Sequence, residues 1–197
     1  MAGVIIVNRG IPVVLGSVAA ASTLSLTAAA PTSATTAPNI GRHCVIDLTG
    51  HRSMTCHASF QEAIAVASAG HIADAPDDPA TAVRSRAFNA RVNGLAQRSG
   101  TASALVTSIE YDGTQYSGPS IVFTHDKVCT ASNLDIDDNL SALPAGWDNR
   151  ISSFHGYSGC RPRHWEEKLF GGAFTEYQDA RETMGIMDNQ ASSLSWT

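Results

Sequence analysis

The chain has 197 residues, 43% of them hydrophobic and 16% charged, with 13 Lys and Arg against 18 Asp and Glu and a formal net charge of -5. That length holds one domain, or a domain with an appendage, and the apolar fraction excludes a chain too polar to build a core. A net negative sequence without a basic cluster lacks the footprint that nucleic-acid backbones or anionic membranes demand, so neither is an expected partner.

Residues 1–37 read as an export signal. Arg9 supplies the positive flank, Ile11 to Leu26 is an apolar run, and Thr27-Ala28-Ala29-Ala30 offers small residues for cleavage. The run is short and broken by Gly and Ser, which argues against a retained anchor. The expectation is a secreted protein without membrane attachment after processing.

An exported chain meets an oxidising compartment, and four cysteines are present: Cys44, Cys56, Cys129 and Cys160. Four cysteines allow three pairings. Cys44 with Cys56 is preferred because the two flank a hairpin turn at Leu48-Thr49-Gly50-His51-Arg52. Cys129 with Cys160 then clips a long loop to the strand region after Ser152-Ser153. A zinc site built from cysteine with His43, His51 and His57 lacks CxxC or HxxxH spacing.

From 39 to about 100 the text is Ala-rich and helical, after a small hairpin over His43 to Cys56. Ser59-Phe60-Gln61-Glu62 is a capping box, in which Ser59 and Glu62 satisfy each other's orphan amides. Ala63, Ile64 and Ala67 follow at helical spacing, and Gly70 is a stop, so the expected helix runs over 60–69. Asp78-Pro79 is a second start, and Val83, Phe88, Val92 and Leu95 carry one helix onward to Asn93-Gly94 or just beyond.

After about Thr101 the grain changes to short strands separated by glycines. The expected strands are Ala104 to Tyr111, Ser120 to Phe123, Ile151 to Tyr157, His164 to Glu166, Ala173 to Tyr177 and Ser192 to Trp196. Such a series suggests an all-β sandwich.

This half also repeats itself. Tyr111-Asp112-Gly113-Thr114-Gln115-Tyr116-Ser117-Gly118 aligns with Trp165-Glu166-Glu167-Lys168-Leu169-Phe170-Gly171-Gly172. Each copy has an aromatic, an acid next, a second aromatic and a closing glycine. That suits a folded hairpin whose last residue takes positive φ while the aromatics cover the bend. Behind each hairpin stands a hexapeptide, Asp148-Asn149-Arg150-Ile151-Ser152-Ser153 and Asp188-Asn189-Gln190-Ala191-Ser192-Ser193, identical at four of six positions.

On these motifs the segment 104–197 resembles the βγ-crystallin superfamily. Its Greek-key motifs pair an aromatic-x6-Gly hairpin with a later (Asn/Asp)-(Asn/Asp)-x-x-(Ser/Thr)-Ser element, which binds calcium in the microbial members. The resemblance implies an α+β chain: a small hairpin-bearing helical region over 39–103, then an all-β Greek-key sandwich over 104–197. From Gly118 to Asp148 is 30 residues, but from Gly172 to Asp188 only 16, so the first motif carries an insertion. It contains Cys129 and the acids Asp135, Asp137 and Asp138, and is expected as a loop pinned by the disulfide.

The resemblance also implies two calcium sites, each drawing on both motifs. One uses the Arg150 carbonyl, the Ser152 hydroxyl and the Asn189 side chain. The other uses the Gln190 carbonyl, the Ser192 hydroxyl and the Asn149 side chain. A further carbonyl comes from the hairpin acid, Asp112 or Glu166, with the assignment of hairpin to site open. Asp148 and Asp188 are expected to hold the turns by hydrogen bonds. Oxygen donors of this kind suit calcium, which takes six to eight of them. With neutral Asn at both second positions and the positive charge of Arg150 nearby, binding is expected to be weak, on the order of 10⁻⁵ to 10⁻³ M.

No nucleophile elbow, HExxH, P-loop or dinucleotide motif is present. His125-Asp126 reads as a solvated turn, and His155 and His164 near Ser152 and Ser153 lack a third orienting group, so no enzyme is expected. The superfamily also includes a metalloproteinase inhibitor and a killer-toxin-like antifungal protein. A secreted inhibitor or toxin, acting on an extracellular protein such as a protease through the 127–146 loop, is therefore the alternative to a calcium-bound structural or interaction module.

Overall fold

A computed structural model describes residues 42–97 and 105–197, and the export signal expected over 1–37 lies outside them. Among the described residues nine strands form two sheets. They are β1 (His43–Asp47), β2 (Met54–His57), β3 (Leu105–Tyr111), β4 (Ser120–His125), β5 (Asp138–Leu140), β6 (Ser153–Gly156), β7 (Pro162–Trp165), β8 (Ala180–Arg181) and β9 (Ser193–Trp196). The larger sheet has the order β2-β1-β4-β3-β6-β8 and the smaller β5-β9-β7.

The repeat visible in the sequence becomes a pair of Greek keys that exchange strands. The first motif runs through β3, β4, β5 and β6, yet β5 leaves its own sheet to pair with β9 of the second motif. The second motif returns the exchange by placing β8 against β6. Neither motif has a complete sheet without the other.

Both exchanged strands are shorter than the hydrophobic pattern can register. β8 has two residues, and β5 reads Asp-Asn-Leu within the acidic stretch. The 127–146 segment is therefore not a loop throughout, because β5 lies inside it. The strand expected over Ala173 to Tyr177 reduces to one bridge between Trp165 and Phe174.

The N-terminal region is built onto the same framework. β1 and β2 form the expected hairpin with Cys44 opposite Cys56, which are bonded to each other. β1 then pairs in parallel with β4, so the hairpin extends the larger sheet by two strands. Helix α1 (Phe60–Ala67) begins at the expected cap, with the Ser59 hydroxyl accepting from the Glu62 amide at 3.1 Å. Glu62 reaches the amide of Ala58 rather than that of Ser59. The expected second helix is broken into α2 (Pro79–Arg84) and α3 (Arg86–Gly94). Ser85 is extended there, and its side chain accepts from the Phe88 amide to start a new helix, an option that a serine's short hydroxyl offers against continuation.

The larger sheet is thus the middle of three layers. Phe60, Ile64, Phe88, Val92 and Leu95 from the helices pack on Val106, Ile109, Tyr111, Val122 and Tyr157 on one face. The other face, with Ile46, Ile121, Phe123 and Phe154, closes on Leu140, Leu194 and Trp196 of the smaller sheet. Every residue of β3 is buried. Polar anchors locate the helices. The Tyr157 hydroxyl donates to Asn89 Oδ1 at 3.0 Å, and Asn93 Oδ1 accepts from the Ser158 amide at 2.8 Å. The disulfide Cys129–Cys160 ties the start of the acidic excursion to the chain just after β6.

One polar seam crosses the inner core. Trp196 Nε1 donates to Ser108 Oγ at 2.9 Å, Ser108 Oγ donates to Glu110 Oε1 at 2.7 Å, and His164 Nε2 lies 2.8 Å from Glu110 Oε2. Glu110 and His164 are fully buried, so each needs the other as its hydrogen-bond partner.

Two other histidines make folding sensitive to acid. Burial pushes His43 below the ordinary imidazole value, with Asp77 opposing and Arg42 reinforcing the shift. Burial also lowers His155, partly offset by the Gly156 carbonyl and Asp179. The unfolded chain therefore binds protons more readily than the folded one. The associated stability is complete above about pH 6.5 and is lost as pH falls from there through the lowered folded values. The urea midpoint is expected to be lower at pH 5 than at pH 7.5. Imidazole NMR signals of His43 and His155 titrating at or above 6.5 would contradict this account.

Candidate metal centre

The two hexapeptides meet where the Greek keys join, and they hydrogen-bond to each other reciprocally. The Asn149 amide donates to the Ala191 carbonyl at 2.9 Å, and the Asn189 amide donates to the Ile151 carbonyl at 3.0 Å. Both asparagines adopt left-handed backbone, with φ of 59° at Asn149 and 54° at Asn189. Asparagine tolerates that region better than other residues carrying a Cβ. This turn aims each Asn side chain across the junction at the other motif.

As a result Ser152 Oγ stands 3.4 Å from Asn189 Oδ1, and Ser192 Oγ stands 3.3 Å from Asn149 Oδ1. These are the cross-motif pairs that the resemblance implied. The separations are long for hydroxyl hydrogen bonds, which centre near about 2.7–2.8 Å. Two oxygens that each lie about 2.4 Å from one calcium ion, at right angles around it, stand roughly 3.4 Å apart. The oxygen chemistry and spacing fit a shared hard cation.

The hairpins flank the same two places. The Ser152 amide donates to the Tyr111 carbonyl at 2.8 Å, and the Ser192 amide donates to the Trp165 carbonyl at 2.8 Å. Asp112 therefore adjoins the Ser152 and Asn189 pair, while Glu166 adjoins the Ser192 and Asn149 pair. These two bonds set the Asp112 hairpin beside the first hexapeptide and the Glu166 hairpin beside the second.

What holds the hairpins is the last serine of each hexapeptide. Gln115 and Tyr116 take φ of 57° and 64°, and Leu169 and Phe170 take 60° and 64°. Four non-glycine residues in left-handed backbone are strained, so the surroundings must over-determine them. Ser153 Oγ, fully buried, accepts from the Tyr116 amide at 2.9 Å and donates to the Gly113 carbonyl at 2.6 Å. Ser193 does the same with the Phe170 amide at 3.2 Å and the Glu167 carbonyl at 2.6 Å. The closing glycines take the expected positive φ, 79° at Gly118 and 74° at Gly172.

Asp148 and Asp188 differ from expectation. Asp148 Oδ2 pairs with Lys168 Nζ at 3.3 Å, and the Oδ1 atoms of both aspartates are buried without a hydrogen-bond partner. Arg150 is not a free charge beside its site. Its Nη2 and Nε donate to the two carboxylate oxygens of Asp112 at 2.6 and 3.3 Å, and this hydrogen bonding raises the guanidinium pKa against the opposing effect of burial.

The serines and histidines that invited a triad go separate ways. His155 Nδ1 lies 2.8 Å from the Gly156 carbonyl, His164 is spent on Glu110, and the serine hydroxyls are engaged as described. His125 is more enclosed than a solvated turn implies, lying between Asp126 at 2.8 Å and Asp138 at 3.3 Å. Among the described residues no group of three or more His, Cys, Asp or Glu side chains is placed to hold a metal. A site here depends on carbonyl, hydroxyl and amide oxygens instead.

Strand exchange, paired hairpins and paired hexapeptides define a two-motif Greek-key domain with the βγ-crystallin fold. Solved structures similar to this chain are domains of that kind. An archaeal βγ-crystallin is 21% identical with a TM-score of 0.36, covering 47% of this chain and 98% of its own. A domain from Flavobacterium johnsoniae is 18% identical with a TM-score of 0.34, covering 46% and 93%. A domain of Abundant Perithecial Protein from Neurospora crassa, in the Ca2+-bound form, is 11% identical with a TM-score of 0.34, covering 47% and 88%. No family model matches the chain, and no curated protein matches its sequence. The fold assignment rests on the chain's own strand order and repeats.

Ser153→Ala or Ser193→Ala is expected to leave a hairpin amide and carbonyl unpaired, costing roughly 1–3 kcal/mol each. Urea unfolding of the two variants measures this. A loss below about 0.5 kcal/mol would show that the serines do not hold the hairpins.

Proposed function

We propose that the protein is an exported, non-enzymatic βγ-crystallin-type protein that binds two calcium ions at the junction of its Greek keys and is stabilised by them. The reciprocal approach of Ser152 to Asn189 and of Ser192 to Asn149 carries this reading, because it brings neutral oxygens from separate motifs to ligand spacing. One site would be held by Ser152 Oγ, Asn189 Oδ1 and the carbonyls of Arg150 and Asp112. The other would be held by Ser192 Oγ, Asn149 Oδ1 and the carbonyls of Gln190 and Glu166. Calcium supplies cross-linking here: it would join loops that meet only in the folded state, so it stabilises that state by mass action.

Secretion is proposed from the 1–37 signal pattern together with the two disulfides, which suit an oxidising compartment. The working role is a structural or interaction module outside the cell. Calcium at millimolar concentration, but not magnesium, is expected to raise the thermal midpoint of the oxidised protein relative to chelator. Asn149→Ala combined with Asn189→Ala should abolish the rise; a calcium isotherm unchanged by the pair of substitutions would refute the assignment.

A second reading, inhibition of a secreted protease, is favoured by the excursion between β4 and β5. Leu134 is 98% exposed at its tip. The base is braced by Cys129–Cys160, by Thr130 donating its amide to Asp137 at 2.7 Å, and by its hydroxyl donating to Asp135 at 3.1 Å. A braced loop that exposes Leu134, with Val128 and Ile136 also about half exposed or more, loses little entropy on docking in a protease cleft. On this reading one protease in a secreted panel is lost stoichiometrically, and Leu134→Asp relieves the inhibition. Full activity across the panel removes it.

A further inference from the structure

The two hexapeptide loops are near copies, so their differences are informative. Where the first has Arg150 the second has Gln190, and where the first hairpin has Asp112 the second has Glu166. Three N–H donors of the Arg150 guanidinium, one from each nitrogen, are committed: two go to the Asp112 carboxylate, and Nη1 goes to the Gly146 carbonyl at 2.6 Å. It also lies over the Trp147 ring, 5.1 Å from the centroid. The fork is therefore held in place, with Asp112 neutralised by it.

The equivalent position in the second loop carries no cation. Glu166 Oε2 accepts from the Ala173 amide at 2.9 Å within its own hairpin, and Gln190 Nε2 donates to the Asp188 carbonyl at 3.4 Å. Lys168 pairs with Asp148 at 3.3 Å, but its side chain is 58% exposed and lies on a flexible stem, against 40% for the stacked Arg150. Screening by water is greater for the lysine.

We propose that Arg150 is a built-in counter-cation that makes the two calcium sites unequal, so that the Asn149, Gln190 and Ser192 site fills first and the Arg150, Ser152 and Asn189 site second. This rests on the calcium reading above and adds an order to it. A fixed positive charge opposes a dication arriving at the carbonyl of the same residue, and it also occupies the one carboxylate on the adjoining hairpin. Asp112 offsets part of that repulsion, so the two side chains act in opposite directions on one site. A unit charge a few ångströms from a partly exposed dication is worth on the order of tenfold in affinity.

Calorimetric titration of the oxidised full chain with calcium at low ionic strength tests the order. The wild type is expected to bind in two resolved steps. Arg150→Gln, which copies the second loop, should tighten the weaker step about tenfold, whereas Asp112→Asn should weaken it by a similar factor. Arg150→Lys keeps the charge without the fork and should leave that step within roughly threefold. Gln190→Arg should weaken the tighter step. If Arg150 served only to brace the loop, Arg150→Gln and Asp112→Asn would both weaken binding, and that result overturns the proposal. Two equal steps in the wild type, or tightening by Arg150→Lys as large as by Arg150→Gln, overturn it as well. A wild type that takes up no calcium overturns the calcium reading itself, which separates the two failures.

Discussion

The structure depends on the mutual hydrogen bonding of two hexapeptides. Asn149 donates to Ala191 and Asn189 donates to Ile151, so each loop supplies the backbone partner that the other needs. Ile151 and Ala191 are fully buried, and unpaired carbonyls there would carry a desolvation cost with no return. The exchange joins the Greek keys, sets both asparagines in left-handed backbone and brings each side chain to the opposite serine. Strand exchange works in the same direction, since β5 and β8 complete sheets to which their own motifs do not belong. Junction and candidate metal centre are one construction, and a ligand at the junction would act on the stability of both motifs.

The N-terminal hairpin and helices answer a different requirement. β3 turns Leu105, Val106, Ile109 and Tyr111 toward the helices, while its inner face carries the polar pair Ser108 and Glu110. Without α1 to α3 the outer set would meet water. β1 adds the second part of the cover, because Val45 joins the helical side of the core while Cys44 and Ile46 join the sandwich side. The parallel pairing of β1 with β4 also occupies a sheet edge, and the Cys44–Cys56 bond holds the hairpin that does so. The polar seam from Trp196 to His164 links the two sheets through hydrogen bonds among its own members, with His164 Nδ1 left unpartnered.

Much of the candidate site was legible because its information is local and repeated. Two hairpins and two hexapeptides in the same order named Asn149, Ser152, Asn189 and Ser192, and the cross-pairing follows from the family resemblance that the repeat supports. Less legible were the sixth serines. Ser153 and Ser193 appear in the repeat as identities, but their grip on Gly113, Tyr116, Glu167 and Phe170 reaches 23 to 40 residues along the chain. The partnership of Arg150 with Asp112 spans 38 positions and has no periodic signature. The role expected of Asp148 and Asp188 was misplaced for the same reason: which groups approach a side-chain oxygen is decided by the packed neighbours.

By itself the sequence determined the β character of residues 105–197, the twofold repeat, the oxygen types at the candidate centre, the start of α1 and the preferred cysteine pairs. These rest on propensity, capping and short-range patterning, which operate within a few residues. Only the tertiary structure decided the break at Ser85, strands β5 and β8, the addition of β1 to β4, and which hairpin lies beside which loop. A two-residue strand such as Ala180–Arg181 has no hydrophobic alternation of its own to read. It exists because β6 presents unpaired backbone groups beside it, and that edge forms only after distant segments of the chain have come together.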